Sequence, residues 1–462
     1  MQDHTTRIEP APAAITDGLP DDRRRWAMAA LCASVAISSL STAIANIALP
    51  AIAAYFGVDP ATAVWVVNTY QIAMVALLMP LAALGEIIGY RRIYHAGIVL
   101  FTLGALASAL AWSFPALLAG RTLQGIGAAG LMSVNSALVA YIYPKRLLGR
   151  GLGLTTMTVA TFITIGPTVG SALLLVGNWR LLFAISVPFG IIAAVIAFIT
   201  LPPSPRAAHR FDFVGAVFLA GATGLFIIAI GSAAHSASAA EIAIELMVAI
   251  VLGGLLVRRQ ADHPAPMLPV DLFKYPVFAL SAATAVCSFS TQGLAFVSLP
   301  FYFENVQHLS PVATGFLLTP WPLVVGIMAP IAGRLADRYP AGLLGGIGLA
   351  VLGIGMALLV LMPEHPSIPD IIWRTMICGC GFGFFQSPNM RAIMTSGPVH
   401  RRGGASGIAS SARLTGQALG AALAALCFGI AGQHGPILAL TLGIFTAALG
   451  SAMSFLRLAA AK

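Results

Sequence analysis

Residues 82 to 92 read AALGEIIGYRR, and 251 positions beyond Glu86 stands Asp337, inside the stretch GRLADRYP that runs from Gly333 to Pro340. The recurrence is not isolated. Leu49-Pro50 returns as Leu299-Pro300, Arg150-Gly151 as Arg402-Gly403, and Gly166 with Gly170 as Gly416 with Gly420, at offsets of 250, 252 and 250. Each landmark keeps its position relative to the neighbouring apolar stretches, so the chain is a duplication of one multi-helix unit. Two parallel copies in so apolar a chain predict a solute path between the halves.

Composition sets the class. Of 462 residues 58% are hydrophobic and 9% charged, and the mean hydropathy is +0.90, too apolar for a soluble chain to cover its surface. The apolar segments have the length of membrane helices, about 20 residues for about 30 Å of hydrocarbon, and lack the ten-residue alternation of outer-membrane barrels. Spans are predicted near 26–54, 61–84, 93–113, 115–142, 150–175, 180–201, 213–233, 239–257, 276–303, 311–332, 340–362, 369–393, 403–431 and 435–456, fourteen in all. The expected division is a cytoplasmic tail (1–25), a six-helix bundle (26–205), a two-helix insert (206–260) and a second six-helix bundle with a short tail (261–462).

Charge placement sets the orientation. With a cytoplasmic N-terminus, 21 of the 25 Lys and Arg fall on the cytoplasmic side, from Arg7 and Arg23–Arg25 to Arg457 and Lys462. Only Arg180 falls in an outside loop, and Arg121, Arg374 and Arg413 lie within spans. This asymmetry predicts an even number of spans with both termini cytoplasmic; Asp59, Glu241, Glu364 and Asp370 fall outside. The net charge of +9 is spread over short loops facing anionic lipid, which argues for a membrane surface and against a nucleic-acid partner. The run after Arg25 is too long for the core of a cleaved signal peptide. Cys32, Cys287, Cys378, Cys380 and Cys427 all lie in spans and read as packing residues; Cys378 and Cys380 lack metal spacing, and neither a metal nor a cofactor is expected.

Six plus six spans are the architecture of the major facilitator superfamily, and the residues resemble it. AALGEIIGYRR is similar to that superfamily's loop motif between helices 2 and 3, with Gly89 and Arg91 matching, Glu86 for the usual Asp and Tyr90 for the usual Arg. RTLQGIG (Arg121–Gly127) resembles its fourth-helix motif and IGPTVGS (Ile165–Ser171) its fifth-helix antiporter motif. With the two extra spans, the chain resembles the fourteen-helix drug:proton antiporter family. The resemblance implies an all-α polytopic membrane protein of two parallel six-helix bundles plus two inserted helices, sited in the inner membrane.

Each motif also has a physical reading. A carboxylate followed by cations at the membrane boundary, Glu86, Gly89, Arg91 and Arg92, and again Gly333, Asp337 and Arg338, can latch one closed arrangement of the halves, or be a turn with positive-inside arginines. Pro167 removes a backbone donor while Gly166 and Gly170 admit a neighbouring backbone, predicting a kinked, tightly packed fifth helix; the second copy has Gln417 in place of the proline. Arg121 stands about a turn and a half inside the fourth span, where a guanidinium costs roughly 2.5–3.5 kcal/mol without water or a partner. It heads a stripe with Gln124, Ala128, Met132 and Asn135 that is expected to face the central cavity, the alternative being a side chain that snorkels outward.

Other polar groups deep in spans are Ser41, Thr42, Asn46, Asn68, Tyr70, Gln71, Gln292, Gln386, Asn389 and Arg413. With Trp65 and Trp321 they describe a large, mostly apolar pocket with a few hydrogen-bonding groups, although each serves equally as an interhelical bond. In LSTAIANIALP (Leu40–Pro50), similar to the family's first-helix motif, Ser41 replaces the usual membrane-embedded Asp. No Asp, Glu or His lies near the centre of a span. Arg cannot usefully titrate, so Glu304, at the outer end of the ninth span, is the first candidate for proton coupling, beside Arg121.

The expected activity is export of amphipathic small molecules by alternating access, coupled to protons, by a monomer. An uncoupled facilitator for a metabolite or sugar is the rival. A polytopic enzyme would need a reactive cluster within the spans, and all nine His lie in tails, loops or span ends.

Overall fold

The structure, a computed structural model, describes residues 18–204, 206–207, 210–234, 238–261, 266–363, 365–398 and 401–460. Most of the predicted N-terminal tail, with Arg7, and also Glu364 and Lys462 lie outside the described residues. The chain is helical throughout these: α1 (Asp21–Phe56), α2 (Pro60–Ile88), α3 (Tyr90–Ala109), α4 (Phe114–Ile142), α5 (Leu148–Val176), α6 (Arg180–Thr200), α7 (Phe213–Ala233), α8 (Ala239–Ala261), α9 (Pro276–Val306, closing in a π-helical turn), α10 (Pro311–Leu335), α11 (Ala341–Val360), α12 (Ile368–Thr395), α13 (Arg402–Ala431) and α14 (Gly435–Ala460).

Among the described residues, twelve helical stretches are long and apolar enough to cross a membrane, and one of these, Gly403–Ala460, is 58 residues that the turn Gly432–His434 divides into α13 and α14. Helix α12 is not among the twelve: it has the length, at 28 residues, but carries Asp370, Arg374 and Arg391.

Local chemistry sets where several helices begin. Asp59, Ser113, Ser310 and Ser367 each accept a backbone N–H of the first turn, from Thr62, Ala116, Ala313 and Asp370, and each is followed by a proline at the first or second helical position. Proline loses nothing there because that N–H has no helical partner. All four helices, α2, α4, α10 and α12, start at the same end of the molecule, and the caps of α2 and α10 are 251 positions apart.

The duplication reappears in the packing. Helix α1 packs on α5 and α6, α2 on α4, and α3 on α4 and α6; eight helices later, α9 packs on α13 and α14, α10 on α12, and α11 on α12 and α14. One close approach is reproduced residue for residue. A methyl on Gly127 would come within 2.2 Å of the Phe101 nitrogen, and one on Gly381 within 2.3 Å of the Leu352 nitrogen, so both helix pairs depend on a missing side chain. Between the halves α5 meets α10, α2 meets α13, and α1 meets α9. The first two contacts exchange under the same shift and the third maps onto itself, the signature of a pseudo-two-fold axis. Helices α7 and α8 break that symmetry. Helix α7 lies along the α2–α13 seam and α8 lies on α7, tied down where buried Asp212 caps α7 at Gly215 (2.9 Å) and accepts from Arg259 (2.9 Å) and Gln260 (2.8 Å).

Candidate functional site: the cleft between the halves

The two ends of the bundle differ. One, here the basic end, carries Arg24, Arg91, Arg259, Arg391 and Arg401, the last paired with Asp271 at 3.1 Å. The other, the far end, is sealed by one core drawn from both halves: Leu40, Val64 and Val66 with Leu294, Val297, Phe301 and Phe428. There the hydroxyls of Thr168 and Thr319 meet at 2.7 Å, and Ser171 donates to the Pro311 carbonyl at 2.9 Å. These bonds place the IGPTVGS segment at the seam. Gly166 rests against Ala43 and Gly170 against Ile44 of α1, while the Pro167 carbonyl and Ser171 press on Gly315 of α10. Helix α5 remains unbroken through Pro167. Toward the basic end this seam loosens: Met157 is 68% and Ile327 57% exposed, and a methyl added at Gly149, Gly153 or Gly326 would meet nothing within 4 Å.

Just inside the far seal lies a cleft lined by Thr42, Ala43 and Asn46 of α1, Gln71 of α2, Ile163 of α5, Gln292, Gly293, Phe296 and Val297 of α9, and Gln417 and Ala421 of α13. Its polar groups are neutral. Gln417 donates to Gln292 across α13 and α9 at 3.4 Å, and the amide oxygens of Asn46 and Gln71 have no partner. Apolar walls with a few unsatisfied amides suit an amphipathic solute that brings its own donors. Of the residues singled out in sequence, Thr42, Asn46, Gln71 and Gln292 line this space. Gln417 belongs with them; its signal was the departure from the repeat, an amide where the first copy has Pro167.

Arg121 and Gln124 lie elsewhere. They turn into the N-terminal bundle, 1% and 0% exposed, rather than onto the cleft wall or toward lipid. The Arg121 guanidinium donates to the Val66 carbonyl (3.0 Å), Ser41 (3.1 Å) and Gln124 (2.6 Å), and Gln124 donates to Ser41 (3.1 Å). It stacks 4.3 Å from the Tyr70 ring centre and 5.3 Å from that of Phe183. The buried cation is thus held by dipoles and π faces. Ser41 closes this cage at the position where the resemblance would have placed an Asp. In the second half Arg374, near the start of α12, does have a carboxylate: Asp370 lies at 3.2 Å.

The remaining predicted residues disperse. Trp65 packs on Gly231 of α7; Asn68, on the same face of α2, is buried with neither amide atom bonded. Tyr70 shares a hydrogen bond with Ser38 at 3.1 Å. Asn135 and Gln386 are half-buried. Trp321 is sealed in the C-terminal core against Phe296. Asn389 accepts from Arg457 at 2.7 Å and donates to the Ser281 carbonyl at 3.2 Å, inside the second bundle. Arg457, counted in sequence with the cytoplasmic charges, is 2% exposed and also donates to Ser281; nothing in a terminal apolar helix foretold a buried partner 68 positions away. Glu304 sits in the π turn beside Thr314, half-buried, with one carboxylate oxygen unbonded.

Both loop motifs have partners, the first in part from the insert. Arg91 donates to the Phe198 carbonyl of α6 at 2.9 Å, the Glu86 carbonyl accepts from Ala207 at 2.7 Å, and Gly89 adopts a φ of 104° that a side chain would strain. Arg92 is exposed. In the second copy Asp337 pairs with Arg391 of α12, which also donates to the Ala336 carbonyl at 2.7 Å, while Arg338 is exposed and Gly333 lies near Ser387.

This geometry agrees with comparison to known proteins. The uncharacterized transporter YebQ of Escherichia coli (strain K12) is 46% identical over 97% of this chain and 98% of its own length. Multidrug resistance protein Stp of Mycobacterium tuberculosis (strain CDC 1551 / Oshkosh) is 32% identical over 83% of this chain and 72% of its own. A crystal structure of a bacterial homologue of the human lysosomal transporter Spinster, inward-facing and unoccupied, superposes with a TM-score of 0.73 at 15% identity, covering 96% and 98% of the two chains. The sequence profile of the Major Facilitator Superfamily matches residues 31–421, and the chain belongs to that superfamily, a multi-pass membrane protein that transports and not an enzyme.

Proposed function

We propose that the protein is a secondary active exporter of amphipathic drugs or other small organic molecules, working as a monomer by alternating access and driven by proton antiport. In this reading residues 26–205 and 261–462 are the two moving bundles, 206–260 is an insert that covers one seam, and the chain crosses the inner membrane fourteen times. The basic end with both termini is cytoplasmic, as the charge asymmetry favours. One observation carries the proposal: a cleft on the pseudo-two-fold axis, lined by amides from both halves, sealed at one end by Thr168–Thr319 and Ser171–Pro311 and loose at the other. Such an arrangement exposes a bound solute to one side at a time.

The likeness to a multidrug resistance protein supports a drug-sized cargo. Arg121 and Ser41 act as a rigid element of the N-terminal bundle, and the glycine-proline segment of α5 is the hinge-side wall. Glu86–Arg92 and Gly333–Arg338 re-pair across the basic end when it closes. Glu304 carries the proton, because the cleft lining contains no carboxylate.

The test is transport of a fluorescent amphipathic dye by the purified protein in liposomes with and without an imposed pH gradient. Uphill dye movement that Glu304→Gln abolishes is the expected result. Unchanged pumping by that variant removes Glu304 from the mechanism. Equilibration without pumping identifies the uncoupled facilitator, the reading that a cleft free of titratable groups otherwise favours.

A further inference from the structure

Arg413 lies on α13 one turn before Gln417, on the stripe that continues through Ala421 into the cleft wall. It stands about 16 Å along the helix from Arg402, deep in the apolar region. Its side chain is half-buried, on the helix that packs against α2 of the opposite half. Arg121 is fully engaged by Val66, Ser41 and Gln124. Among the described residues, Arg413 has neither a carboxylate partner nor a hydrogen-bond acceptor. Ser281, Asn389 and Ser454 are used up by Arg457, a buried arginine of the same half.

A permanently charged group so placed in a membrane protein is costly unless a partner arrives. Arg presents a planar fork that matches a carboxylate, phosphate or sulfonate, and it repels a cation in a site of low dielectric. Beyond it the Gln292–Gln417 pair and the free amide oxygens of Gln71 and Asn46 can take the polar part of the same molecule, while Phe296, Ile163 and Val297 take its apolar part.

We propose that Arg413 is the anchor for the acidic group of an amphipathic organic anion, so that the cargo of this transporter is drawn from weak organic acids rather than from lipophilic cations. The inference rests on the transporter reading above, but its test uses equilibrium binding and needs no gradient, so either can fail alone. The full-length protein in detergent is titrated with three probes of matched shape: pyrenebutyrate, its methyl ester, and a pyrenebutyl trimethylammonium. Replacing the charge-assisted bond predicts roughly 10- to 100-fold weaker binding of the ester than of the carboxylate. Arg413→Gln removes that difference, Arg413→Lys keeps part of it, and Arg258→Gln, on the exposed face of α8, leaves it intact. The lysine variant keeps the question answerable should the glutamine variant fold poorly, as judged by size-exclusion profile. Binding of the ammonium probe as tight as that of the carboxylate, or an ester-to-carboxylate ratio that neither substitution changes, overturns the proposal.

Discussion

The tightest contact between the halves offers the sharpest test of the alternating-access reading. Gly315 faces α5 so closely that a methyl there would lie 1.7 Å from the Ser171 hydroxyl and 2.5 Å from the Pro167 carbonyl. The serine can rotate away at the loss of its bond to Pro311, but the carbonyl is backbone and α5 must move. Overpacking of this kind costs about 1–3 kcal/mol, and the lost hydrogen bond about 1 kcal/mol. The penalty exists only while the far end is closed, because opening carries α5 and α10 apart. Gly315→Ala should therefore shift the balance toward the far-open form by about 2 kcal/mol, roughly thirtyfold in population. Nitroxide pairs at Asn178 and His308 on the far end and at Arg150 and Arg338 on the basic end report the shift by double electron–electron resonance. The first distance should lengthen and the second shorten, with the folded fraction unchanged. If both distributions stay where they are in a folded protein, the α5–α10 contact is ordinary packing and the seal is misassigned.

Arg121→Met removes three charge-assisted bonds and leaves the Gln124 amide oxygen and the Val66 carbonyl without their donor, while Ser41 keeps the bond from Gln124; the cost is partly offset by relief of the buried charge. We expect about 3 kcal/mol lower stability in a detergent-unfolding titration with binding of a neutral probe unchanged; lost binding at full stability would mean that the guanidinium reaches the cargo. Asp337→Asn breaks a pair with Arg391 whose side chains are 71% and 48% exposed, so stability should move by less than about 1 kcal/mol. Transport should fall nonetheless if the segment latches a closed state, and undiminished turnover in liposomes would assign the loop to a plain turn.

Gly166 and Gly170, read in sequence as room for a neighbouring backbone, stand against Ala43 and Ile44, and the reason is local: a missing side chain acts on whatever helix lies alongside, so its effect is visible in the residues themselves. The side-chain stripes were less legible. Gln71 and Trp65 sit on one helix within two turns, yet Gln71 opens into the cleft and Trp65 meets Gly231 of the insert. Periodicity gives the relative directions of two side chains but not which neighbour stands in each direction. In a membrane chain this ambiguity is worse, because lipid, cleft and bundle interior all accept the same apolar residues.

Sequence alone determined the class and the symmetry of this protein. Hydropathy fixed helices that satisfy their own backbone in lipid, charge asymmetry set both termini toward one side as an expectation, and the 250-residue offset implied two equivalent bundles. Tertiary structure alone decided which arginine is sealed among acceptors and which is left without one. Arg121 finds Ser41 80 positions away and Val66 55 positions away, whereas Arg413, among the described residues, has no hydrogen-bond acceptor or carboxylate beside it. A buried charge is defined by the partners that reach it, and those partners are brought together by helix packing across the fold, not by neighbours in the chain.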